Sequence, residues 1–224
     1  ARFPALRELY SGSLGRFEPN PSLDPETLVG AEAGATIVRS SFQLQGVAFH
    51  HRLSDAIVRT TTEEGKFRRV NRDQIRSTGV ELLAGWSSER GLTVSGDLLL
   101  QRVRVADPAV TDADRRPEHQ PEVRASVDVA TPLPFGVRGG AGVRVTGKQY
   151  CVNPDLGRQE ALARQTRGDV SLEREWRIGR GETARALDRV KVALSLDNVT
   201  DAAVYDQCGL PQPGRTLRLV VSWR

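Results

Sequence analysis

No methionine occurs in this 224-residue chain, and aromatic residues make up only 5% of it. Long apolar runs are also absent. Stretches such as Leu98–Leu100 and Leu219–Val221 are three residues long, far short of the roughly 20 that a spanning helix needs. A helical membrane protein is therefore excluded. A membrane β-barrel is not, because its strands alternate and average out to moderate hydropathy. The two cysteines, 57 positions apart, form neither a CxxC redox motif nor a cysteine-based metal site. Charge of one sign does not dominate either: 32 basic residues stand against 28 acidic ones, scattered along the chain, for a net +4. That balance reads as a mixed polar surface, with no nucleic-acid partner expected. No Ser/His/Asp spacing, nucleotide-binding glycine loop or zinc pattern is present, so no catalytic residue, cofactor or metal site is expected. The chain opens at Ala1 without the charged-then-apolar profile of a secretion leader, and its start reads as the middle of something longer.

What is present is a period of two. In Arg215–Arg224, Leu217, Leu219, Val221 and Trp223 share one face, while Thr216, Arg218 and Ser222 fall on the other. The same alternation runs through Arg189–Asp197, Asp169–Ile178 (broken by Arg174), Val137–Val145 and Val123–Val129, and more loosely through Leu92–Leu100, Ile75–Trp86, Ser41–Leu53 and the Ala- and Gly-rich Thr27–Val38. Such windows predict nine half-buried strands. The connections alternate in length. Short ones lie near Arg39-Ser40, Ser87–Gly91, Thr131–Phe135 and Gly179–Ala186. Long polar ones are Ser54–Arg69, Ala106–Gln120, Cys151–Thr166 (with a helix-like Glu160–Gln165) and Asn198–Gly214. Short turns on one side and long loops on the other predict an all-β, antiparallel up-and-down transmembrane barrel segment. A soluble β-sandwich would carry short turns at both ends.

Four stretches narrow this further. Arg2–Tyr10, Pro19–Glu26, Asn71 with Thr78-Gly79-Val80-Glu81, and Leu196–Asp201 with Tyr205 and Pro213-Gly214-Arg215 occur in order along the chain. They resemble segments of the C-terminal barrel of TonB-dependent outer-membrane receptors. The resemblance implies a barrel of about 22 strands around a plug. The chain would supply the last nine strands: 1–26 as a loop remnant on the extracellular side, 27–224 as barrel wall, with the plug absent. It also implies a bacterial outer-membrane receptor for TonB-energised uptake of a scarce ligand, such as a ferric siderophore. The expected partners are TonB (through the plug), a small-molecule or metal-chelate ligand, and outer-membrane lipid. The alternatives are a passive porin, a barrel enzyme, or a soluble antiparallel sandwich.

Candidate residues follow from this frame. Arg2 and Tyr10, with Arg115 and Arg116 in the charged Asp107–Gln120 loop, are the ligand-facing candidates. Arg124, Asp128, Arg138, Arg144, Glu173, Glu175, Arg177, Arg189, Lys191, Asp197 and Arg218 all have inward parity and suggest a polar lumen. Asp197-Asn198 and Thr200-Asp201 read as a strand end and turn rather than a cation site. His50 and His51, adjacent on a strand, point to opposite faces and cannot serve one metal. Cys151 and Cys208 both fall in long outer loops. They would pair with each other, remain thiols, or pair with cysteines elsewhere; the mutual disulfide is the preferred assignment, and it is chemically allowed outside the cytoplasm.

Overall fold

Alternating residues put an apolar stripe on one face of each strand, and antiparallel pairing joins those stripes into one surface. The computed structural model describes residues 1–12, 15–106, 116–153, 156, 158–177 and 189–223. After a short helix, α1 (Leu6–Tyr10), the strands are β1 (Phe17–Glu18), β2 (Thr27–Val38), β3 (Phe42–Thr61), β4 (Phe67–Ser87), β5 (Thr93–Val105), β6 (Val123–Leu133), β7 (Val137–Thr146), β8 (Gln149–Val152), β9 (Gln159–Leu162), β10 (Gln165–Arg177), β11 (Arg189–Asp197), β12 (Tyr205–Gln207), β13 (Leu210–Pro211) and β14 (Thr216–Trp223). Nine of them form one sheet in the order β14-β11-β10-β7-β6-β5-β4-β3-β2, and every pair along it is antiparallel. β1 adds to β4 in parallel, and β8–β9 and β12–β13 are separate small hairpins. The nine windows read from the sequence are these nine long strands.

The register aligns the apolar stripes. Leu217, Leu196, Val170, Ala141, Val129, Val94, Trp86 and Phe42 are successive cross-strand partners, an unbroken apolar row over eight strands. This face is not covered. Leu219 is 64% exposed, Leu217 69% and Leu83, from the opposite face, 50%. Among the described residues the buried apolar side chains are only Leu23, Ala56, Val105 and Cys151. A soluble sheet would turn such a stripe into a core. A barrel wall turns it to lipid.

The three tryptophans mark one rim of that face. Trp86 and Trp176 are penultimate in β4 and β10, and Trp223 ends β14. All three project outward at the short-turn end, where amphipathic rings sit at the membrane–water boundary. Phe42, the cross-strand partner of Trp86, and Phe135 in a short turn lie at the same end. There the connections are short: residues 39–41, 88–92, and the 3-10 turn Pro134–Gly136, whose Phe135 has φ 63° and is 84% exposed. The expected turn at Gly179–Ala186 lies outside the described residues.

Two expectations at the other end are corrected. Ser54–Arg69 is not a long loop. β3 and β4 stay paired through it to a turn at residues 62–66, with Val58 opposite Val70 and Thr61 opposite Phe67. Alternation is lost there, and the edges of the arm are held by residues 1–26: β1 pairs with Phe67 and Arg68, Asn20 donates to the Arg69 carbonyl, and Glu26 accepts the Ile57 N–H. Glu160–Gln165 is not helical: Gln159–Leu162 pairs with Gln149–Val152, and β10 starts at Gln165. Backbone pairing with a neighbouring segment overrides weak local helix preference.

Candidate functional site

The inward face is polar because its residues are the odd partners of the apolar rows. Salt bridges join neighbouring strands along it: Arg189–Glu175 at 3.2 Å, Lys191–Glu173 at 2.6 Å, Arg218–Asp197, and His51–Glu32 at 2.9 Å. The densest group centres on Asp169. Arg144 approaches it at 2.6 Å and Arg167 at 3.4 Å, and its other role is to accept the Asn198 backbone N–H at 2.9 Å. Arg144 also reaches Asp128 at 3.5 Å. Gly142 lies directly between Asp128 and Asp169 in the register. A side chain there would strike the Asp128 carboxylate, so glycine keeps the two acids within reach of one guanidinium.

Above this group, toward the long loops, the wall opens into a cavity of about 350 Å³. Arg124, Arg144 and Arg167 line it with His119, Gln149, Gln165, Tyr205 and Asp206. Arg124 has no acidic partner among the described residues, and His119 Nδ1 is buried without a hydrogen bond. Arg144 and Arg167 are held by Asp169 at the floor of the cavity, so Arg124 is the lining guanidinium left to meet an anion.

The loops over this cavity are tied together. Cys151 and Cys208 are disulfide-bonded, with Cα atoms 5.8 Å apart, joining the β8–β9 hairpin to the β12–β13 loop. Gln165 donates to the Tyr205 carbonyl and accepts the Tyr205 N–H, both at 2.9 Å, and Gln149 donates to the same carbonyl at 3.3 Å. Arg116 lies over the Tyr150 ring at 4.8 Å and donates to its hydroxyl.

The other candidates are placed as follows. Arg2 pairs with Glu26 at 2.5 Å and Glu8 at 2.9 Å, so its charge is engaged within the N-terminal segment. Those contacts raise the Arg2 pKa. The Arg2 hydrogen bond lowers that of Glu26, and the Ala5 backbone N–H, then Arg2, lowers that of Glu8. Tyr10 ends α1 and is 61% exposed. Arg115 lies outside the described residues. His50 contacts Thr78 and His51 contacts Glu32, on opposite faces. Asn198 and Asp201 have φ of 53° and 56°. The Asn198 side chain closes a turn onto both backbone groups of Ala202, and Asp201 accepts the Arg215 N–H. That is the turn expected from sequence. Sequence reasoning missed the clasp of Gln149 and Gln165 on Tyr205, because lone glutamines carry no local signature.

The N-terminal segment docks through Asn71, which accepts the Asp24 N–H and donates to the carbonyls of Asp24 and Asp55. Gly79, eight residues farther along β4, faces Phe49, whose ring a Cβ would meet at 2.5 Å. The family motif around Asn71 and Gly79 thus has two physical uses, a clasp and a space for a ring.

The model of the TonB-dependent receptor-like β-barrel family matches residues 1–199. The chain belongs to the TonB-dependent receptor family. Its fold is that of solved members. The copper transporter OprC superimposes with a TM-score of 0.68 at 18% identity, over 96% of this chain and 34% of that one. The ferric-catecholate import receptor Fiu from E. coli K12 gives 0.67 at 16%, over 95% and 30%. The FrpB iron transporter from Neisseria meningitidis gives 0.66 at 19%, over 92% and 32%. The chain therefore spans about a third of the length of these structures. No curated protein matches it in sequence.

Proposed function

We propose that this chain is wall and outer loops of a TonB-dependent outer-membrane receptor that imports an anionic metal chelate, such as a ferric siderophore. In this reading 27–224 is barrel wall and 1–26 lies on the extracellular side. A plug and further strands complete the receptor, since closing so wide a barrel takes about 22 strands. Energy reaches the ligand from TonB through the plug. The observation that carries the ligand class is the arginine-lined cavity beneath the tied loops, where Arg124, Arg144 and Arg167 converge. Charge-assisted hydrogen bonds from guanidiniums suit the carboxylate or catecholate oxygens of a chelate. The iron or copper handled by the similar structures supports a metal cargo.

The test uses the full-length receptor in cells. Uptake of radiolabelled ferric chelates is compared with and without TonB, and with Arg124→Gln and Arg167→Gln together. Loss of uptake without TonB, with affinity falling on the order of tenfold or more in the double variant, is the expected result. TonB-independent uptake would leave a passive pore. Equal affinity in the variant would remove the cavity from ligand binding.

A further inference from the structure

Arginines stand in a row on the outward face at the long-loop end. Arg52, Arg76 and Arg104 are successive cross-strand partners on β3, β4 and β5, and Arg102 on β5 is opposite Thr78 on β4. All four have the parity of the lipid-facing Leu44, Leu82 and Leu98. Like charges directly opposite on neighbouring strands repel. Arg104 is relieved by Glu122 at 2.9 Å, and Arg76 donates to Gln74. The side chains of Arg52 and Arg102 have no ion-pair or hydrogen-bond partner among the described residues, and with Arg76 they are exposed.

Depth gives this row a meaning. The row Phe42–Trp86–Val94 lies at the tryptophan rim, and Arg52–Arg76–Arg104 lies ten residues farther along each of the same three strands. At about 3.3 Å per residue and a strand tilt of about 40°, that is about 25 Å along the membrane normal. It equals the usual height of a barrel's apolar band. The strands between carry Leu44, Ala48, Val80, Leu82, Leu98 and Leu100 on this face. The arginines therefore stand at the opposite headgroup level, on the side of the long loops.

We propose that Arg52, Arg76, Arg102 and Arg104 form a binding site for the phosphate groups of an outer-leaflet lipid. A guanidinium fork matches phosphate oxygens in pairs. An anion there would neutralise a row that otherwise repels itself. The site rests on the outer-membrane reading above, but not on TonB coupling or on the identity of the imported ligand.

The full-length receptor, purified in non-ionic detergent, is titrated with bisphosphorylated lipid A and followed by native mass spectrometry. Dephosphorylated lipid A and inorganic phosphate serve as the two comparison probes. The wild type is expected to retain the phosphorylated lipid and to bind the dephosphorylated form on the order of a hundredfold more weakly. Arg52→Gln, Arg76→Gln and Arg102→Gln combined should show a similar loss, and the matching lysine substitutions should restore most of it. Equal binding of both lipid forms by the wild type overturns the proposal without reliance on a variant. So does undiminished binding by the triple glutamine variant. Displacement of the lipid by inorganic phosphate at equal phosphate concentration would make this a free-anion site and overturn the lipid assignment. Cell fractionation separates this result from the functional reading. A receptor absent from the outer membrane defeats both, whereas one that resides there and imports through TonB, yet fails these titrations, defeats only the lipid site.

Discussion

Asp169 on β10 holds Arg144 of the neighbouring β7 at 2.6 Å while its second oxygen accepts the Asn198 N–H at 2.9 Å. One carboxylate thus fixes both the base of the arginine-lined cavity and the turn that launches the Cys208 loop. Asp169→Ala is expected to leave that N–H and the Arg167 guanidinium without their acceptor, and Arg144 with Asp128 alone. About 1–3 kcal/mol of local stability should be lost, read as faster hydrogen exchange over residues 198–207. Asp169→Asn, which keeps an acceptor, should lose less.

The Asn71 clasp predicts a separable N-terminal segment. Asn71→Ala removes three hydrogen bonds to Asp24 and Asp55, worth about 1–3 kcal/mol together. Limited proteolysis should then cut within residues 1–26 while β2–β14 stays intact.

The same segment should be sensitive to acid. Glu8 and Glu26 have lowered pKa values in the folded protein, through the Ala5 N–H and the Arg2 guanidinium respectively. A lowered folded pKa means stabilisation present above the unfolded value, about 4.3, and lost as pH falls through the folded value. Hydrogen exchange of residues 1–26 should stay constant from neutral pH down to about 5, after correction for intrinsic rates. It should rise as pH drops further. Glu26→Gln should weaken docking already at neutral pH and flatten this acid response.

Tying of the outer loops is tested by Cys151→Ser with Cys208→Ser. Loss of the covalent link should cost about 2–4 kcal/mol against opening of this loop pair. The effect should be confined to residues 149–162 and 205–211, with the nine-strand sheet unchanged in exchange protection.

Facing is tested by charge insertion at adjacent positions of β11. Leu194→Arg places a cation in the apolar face and is expected to cost about 2–4 kcal/mol of folding into lipid vesicles. Ala193→Lys places one inward, opposite Glu173, and should fold almost normally. Equal costs would reverse the assignment of the two faces.

Much of this was readable from sequence because alternation is a local property. The parity of Leu217, Leu219, Val221 and Trp223 assigns a whole strand to one face, and turn residues bound it. The outward arginines of β3–β5 were individually visible, yet nothing local shows that Arg52, Arg76 and Arg104 share one level. Residues 54–69 read as loop from sequence alone for a related reason. Their pairing is sustained by a partner strand and by the docked segment 1–26, so they need no apolar stripe.

The sequence by itself determined the strands, their faces and the family. These depend on period-two patterning and on motifs that survive without a partner strand. Tertiary structure decided the register, and with it the arginine row, the Asp169 group, the Cys151–Cys208 link and the cavity they frame. Register is a relation between distant segments, set when one strand's hydrogen bonds and apolar stripe are matched to another's, so it is written in no single stretch of the chain.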